Sequence, residues 1–110
     1  MKLEIRKAIK KVTDKAQGLM EKADDIEAKA RSLGLSTERL RGAIDETWRL
    51  LREEYEAGRA VEMFSDWGEE ENVQRAVREH SEVTVEYYFA VIELSRVLRL
   101  MRAKIRRASL

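Results

Sequence analysis

The chain has no proline and no cysteine, a single histidine, and only five glycines among its 110 residues. Sheet folds of this length need many turns, which draw on Gly, Pro and Asn, so their scarcity argues against a sheet. Without cysteine there is no disulfide, no zinc thiolate site and no thiol nucleophile. No apolar stretch approaches the ~20 residues that span a bilayer. The opening Met1-Lys2-Leu3-Glu4-Ile5-Arg6 lacks the apolar core of a signal peptide. An excess of one charge is missing as well: 22 basic side chains stand against 21 acidic ones, so no global field points to nucleic acid. A soluble, cytoplasmic protein with no membrane partner is expected. There is no Gly-rich phosphate loop, serine elbow or strand–loop–helix unit, so no cofactor or small-molecule ligand is expected either.

What remains is charged and apolar in nearly equal measure, 39% and 44%, a mix typical of long helices and coiled coils. Apolar residues at Ile5, Ile9, Val12, Ala16, Leu19, Ala23, Ile26, Ala30 and Leu33 are spaced alternately by four and three. That is the 3.5-residue repeat of a heptad seam, and it predicts a helix over about 2–33. Alanines at 16, 23 and 30 leave room for a neighbour to approach closely. Gly34 then suits a C-terminal cap. Ser36 or Thr37 is placed to cap a second helix over about 37–65, with Leu40, Ile44, Trp48, Leu51 and Tyr55 on its apolar stripe and Trp48 expected in the core. Asp66 and Glu69 stand at capping-box spacing before a third helix over about 69–108. Its seam runs Val73, Val77, His80, Thr84, Tyr87, Val91, Leu94, Leu98, Met101, Ile105 and Ala108. Val83, Val85, Phe89, Ala90, Ile92 and Val97 widen the apolar surface around it.

Residues 1–110 therefore read as one all-α domain, an antiparallel bundle of three long helices with coiled-coil-like heptad packing, completed by oligomerisation. Short links make consecutive helices antiparallel neighbours. In that arrangement Lys2, Arg6, Lys7, Lys10 and Lys11 lie beside the acidic turn of Glu62, Asp66, Glu69, Glu70 and Glu71. Asp24, Asp25 and Glu27 are expected near the basic end of helix three.

His80 has two readings. It is an acid, base or metal ligand inside the bundle, or a polar seam residue that fixes register. Arg75 and His80 have the Arg-x-x-x-x-His spacing, which resembles the signature of HEPN-domain ribonucleases. That resemblance implies a cation steadying a phosphate while an imidazole moves a proton. Ala76 stands where a polar residue is common in that signature. Glu79-His80-Ser81-Glu82 is similar to the Glu-x-x-Glu of translin-type ribonucleases, which implies a divalent cation held by Glu79 and Glu82; the bland alternative is a solvated stripe with Glu86 and Glu93. A ferritin-like Glu-x-x-His is absent, since Val77 precedes His80 by three.

After Glu93 no acidic residue appears, while Arg96, Arg99, Arg102, Lys104, Arg106 and Arg107 follow. They read as complements to a helix C-terminus or as phosphate contacts on nucleic acid. Trp67, with Met63 and Phe64, reads as an interface anchor or as a plug for the bundle end. The surplus of apolar faces on helix three predicts a small helical interaction protein, a homo-oligomer or a partner of another protein, more a binding protein than an enzyme. Tyr87, Phe89, Ile92, Leu98, Met101 and Ile105 are its candidate interface.

Overall fold

The structure, a computed structural model, describes the backbone of residues 3–110 and all side chains except those of residues 1–6, 8, 9, 12, 13 and 67. The seam positions Ile5, Ile9 and Val12, the charges of Lys2 and Arg6, the opening six residues and the Trp67 side chain lie outside the described residues. The chain folds as three helices, α1 (Leu3–Ser32), α2 (Glu38–Trp67) and α3 (Glu70–Ala108), with no strand among the described residues. They form a three-helix bundle of 61 × 24 × 16 Å. The most extensive contact joins α2 to α3, and α1 lies more lightly against both.

The links follow from local chemistry. At the end of α1, Gly34 sits at φ 74°, a left-handed conformation in which a side chain is strained. Its N–H donates to the Arg31 carbonyl (3.0 Å) and the Leu35 N–H donates to the Ala30 carbonyl (3.0 Å). This pair of bonds is the Schellman closure, and Leu35 packs back onto the core as that motif favours. Thr37 takes the N-cap position of α2, but its hydroxyl makes no capping bond. It accepts instead from Arg31 Nε at 3.3 Å, so the side chain ties the end of α1 to the start of α2.

The second link is shorter than the sequence suggests. Helix α2 continues through Asp66 to Trp67, so Asp66 does not cap α3; Glu69 stands at that N-cap position, also without a side-chain bond. Gly68 is needed because a Cβ there would lie 2.8 Å from both the Phe64 ring and the Phe64 carbonyl oxygen.

Among the described residues the core is eccentric. Met20, Leu40, Ile44, Leu94 and Leu98 are almost entirely removed from water, with Val91, Val97, Met101 and Ile105 close behind. Burial of each large side chain contributes about 1.5–3 kcal/mol. Ala16, Ala23 and Ala30 are fully buried, so these small residues bring α1 close to its neighbours, while Leu19 and Ile26 flank the contact half-buried. At the opposite end of α3, before residue 87, only Ala76 and His80 are buried.

The acidic end of α1 meets a different partner from the one its sequence implies. Glu27, buried, lies 3.3 Å from Arg41 Nη1 and 3.8 Å from Arg31 Nη2. Asp24 lies 3.8 Å from the same Arg41 nitrogen. Arg41 of α2, not the basic end of α3, therefore gathers these carboxylates, because the short link sets the start of α2 beside them.

Candidate functional site

His80 occupies the inner face of α3, 7% exposed, and its Nε2–H donates to Glu54 Oε1 of α2 at 2.9 Å. Both side chains are largely shielded from water. Gly58 of α2 faces the pair, and a Cβ there would stand 3.4 Å from His80 Nε2, in ordinary van der Waals contact. Thr84 donates to the His80 carbonyl at 2.7 Å, which satisfies its hydroxyl within the helix. The pair sits at the floor of an open groove of about 1270 Å³, bounded by Lys10 and Gln17 of α1 and by α2 from Trp48 to Asp66. Lys10 thus shares the groove with Glu62 and Asp66.

Trp48 is 46% exposed, against its expected place in the core. The buried positions of α2 are Leu40, Ile44, Thr47 and Leu50, which leaves Trp48 and Tyr55 at the edge of the stripe, in the groove wall. Arg59 lies over the Tyr55 ring, 6.0 Å from its centroid, within cation–π range.

The other candidates disperse. Arg75 is exposed while His80 is buried, and five residues of α-helix set them roughly 140° apart around the axis. They do not converge on a common substrate position. Glu79, Glu82 and Glu86 are exposed. Glu93 instead pairs with Arg39 of α2 (3.2 Å) and with Arg96 (3.5 Å). Among the described residues no three Asp, Glu or His side chains converge as metal ligands. Tyr87, Leu98, Met101 and Ile105 are buried within the single chain, where they hold α3 against α1 and α2. Phe89 (63% exposed) and Ile92 face water.

They are not alone. Val77, Val85, Tyr88 and Leu100 are also exposed, and Tyr88 and Phe89 meet edge to face with centroids 6.4 Å apart. Helical geometry places Val85 and Ile92 on the side of α3 roughly opposite its buried stripe. Along the basic end, Arg96, Arg99, Arg102, Lys104, Arg106 and Arg107 are all exposed. Arg96 pairs with Glu93 and Arg107 donates to the Ala103 carbonyl. Arg99, Arg102, Lys104 and Arg106 form no ion pair among the described residues. Met63 is exposed and Phe64 packs partly under Gly68.

Sequence reasoning passed over Glu54. A signal was there: Leu40, Ile44, Thr47, Leu51, Glu54 and Gly58 advance by four and three, a seam that carries a polar residue at each second turn. Thr47 is fully buried with its hydroxyl donated to the Ala43 carbonyl at 2.7 Å, and Glu54 is taken up by His80.

The class defined here is an all-α three-helix bundle with a polar pair between α2 and α3 and an exposed apolar face on the outer side of α3. Among the described residues no helix is long and apolar enough to cross a membrane. Comparison with protein-family models, curated proteins and solved structures finds no match.

Proposed function

We propose that this chain is a small helical interaction protein, a homo-oligomerising scaffold or accessory component, and that the outer face of α3 is its association surface. The observation that carries the reading is the cluster Val85, Tyr88, Phe89 and Ile92, exposed on one side of a helix whose opposite side is already satisfied by the core. Apolar groups concentrated at i, i+3, i+4 and i+7 are the pattern by which one helix docks on another. The overall surface supports it. A compact monomer of 12.8 kDa exposes roughly 6,300 Å², whereas this chain exposes 8024 Å². Its radius of gyration is 17.4 Å against about 13 Å for a compact domain of this length.

Light scattering over a wide concentration range tests the reading. The wild-type chain is expected to associate, and Phe89→Glu, which sets a charge in the middle of the face, is expected to shift it to monomer. A strict monomer at every concentration removes the reading.

A second reading has one observation in its favour: Arg99, Arg102 and Arg106 are exposed, free of ion pairs among the described residues, and spaced by three and four along one side of α3. Such a row can neutralise phosphates of nucleic acid. Mobility shift at low salt is the test, and absence of binding there ends it.

A further inference from the structure

The large apolar residues exposed on α3 are Val77, Val85, Tyr88, Phe89, Ile92 and Leu100, and their numbers are symmetric about a point between 88 and 89. Val77 mirrors Leu100, Val85 mirrors Ile92, and Tyr88 mirrors Phe89. They lie on two neighbouring rows of i, i+4 spacing, Val77-Ser81-Val85-Phe89 and Tyr88-Ile92-Arg96-Leu100, and reversal of the helix exchanges one row for the other. A surface unchanged by reversal of its own direction is what an isologous two-fold contact requires, since there each patch meets a copy of itself. We propose that a second copy of this chain docks on this face with the two α3 helices antiparallel and the two-fold axis passing between Tyr88 and Phe89. The inference rests on the association reading above and specifies its partner and register.

Charge selects the same direction. Residues 70–88 carry five acidic and two basic side chains, and residues 89–108 carry six basic and one acidic. The antiparallel sense sets each acidic half toward the partner's basic half, whereas a parallel pair sets like against like, which costs energy and suppresses that alternative. Rows of i±4 spacing are the ridges of the commonest class of helix packing, in which the axes cross at about −50°. In that crossing Val85 and Ile92, near the axis, interdigitate with the partner's Ile92 and Val85, and the Tyr88 and Phe89 rings stack across the centre. Each chain exposes 8024 Å², roughly 1,700 Å² more than a compact monomer of its size, which exceeds the ~800 Å² that each partner of a standard interface buries.

The absence of cysteine makes a clean test possible. Chains carrying Val85→Cys and chains carrying Ile92→Cys are oxidised separately and as an equal mixture, with light scattering run on the same samples. The expected result is associated protein in which the mixed Val85→Cys to Ile92→Cys disulfide forms several-fold faster than either self-linked dimer. Associated protein whose single variants self-link faster than the mixture overturns the antiparallel register while leaving self-association standing. Associated protein with no cross-link at all overturns the use of this face. Monomer throughout, in wild type and variants, overturns the association reading itself. Raising salt is expected to slow the mixed link, because the opposed halves are screened over about 8–10 Å; faster linking in high salt contradicts the charge argument.

Discussion

The imidazole of His80 and the carboxylate of Glu54 meet at 2.9 Å between α3 and α2, in the half of α3 that holds fewer buried side chains. A polar contact in such a place fixes how the two helices slide against one another, because a slip of one turn leaves both groups without a partner. His80→Ala and Glu54→Ala are each expected to lower stability by about 1–3 kcal/mol. In a double-mutant cycle followed by urea denaturation, the double variant should lose clearly less than the sum of the two. Additive losses would mean that the contact contributes nothing as a pair.

The Glu27 carboxylate is buried between two helices, with Oε1 facing Arg41 and Arg31 and Oε2 without a hydrogen-bond partner among the described residues. Removal of the cation and removal of the anion are therefore unequal. Arg41→Ala strands a buried charge and is expected to cost about 1–3 kcal/mol. Glu27→Gln removes that charge and is expected to cost less. Thermal melts of the two variants decide it, and a larger loss for Glu27→Gln contradicts the account.

Three glycines allow a direct comparison of helix propensity with backbone conformation. At Gly18 and Gly42, both within helices, an added Cβ meets nothing within 4 Å. Gly18→Ala and Gly42→Ala are each expected to raise stability by about 0.5–1 kcal/mol. At Gly34 space is equally open but φ is 74°, so Gly34→Ala is expected to lower stability by about 1 kcal/mol. Chemical denaturation of the three variants reads the opposite signs.

On the outer face of α2, hydrogen bonding to Arg49 holds the Glu46 carboxyl below its usual 4.5, and the nearby positive charge adds to this against a small opposing cost of burial. Because the folded value is the lower one, the contribution to stability is complete above about 4.5 and fades as pH falls through the depressed value. An NMR titration of the Glu46 carboxyl should find its midpoint below 4.5, returning to the ordinary value in Arg49→Ala. The pair is exposed, so the melting temperature should hardly change.

Three helices, their short links and the Gly34 cap were legible because each follows from local chemistry: periodic apolar residues, a left-handed glycine, the absence of breakers. What escaped depends on which of two plausible faces a helix turns inward. Trp48 and Thr47 are adjacent, and composition favours burying the tryptophan. Yet α2 must turn Leu40, Ile44 and Leu50 to the core together, and that rotation carries Thr47 in and Trp48 out. The same rotation brings Glu54 to His80. Asp66 failed as a cap because helix propensity carries α2 two residues beyond the expected stop, to where Gly68 fits against Phe64. Tyr87, Leu98, Met101 and Ile105 looked like candidates for an external contact only because a sequence does not reveal how much of a wide apolar face α1 and α2 cover.

Among the described residues the buried apolar side chains gather toward one end of the bundle. Backbone amides between Leu40 and Leu50 and between Val91 and Ile105 lie against the buried cluster, so their exchange with solvent requires opening of the whole fold. In the hairpin formed by the end of α2 and the start of α3, Ala76 and His80 are the buried residues of α3 before residue 87, with Glu54 of α2 paired to His80. Hydrogen exchange is expected to read this difference, with amides of that hairpin exchanging faster than those against the buried cluster.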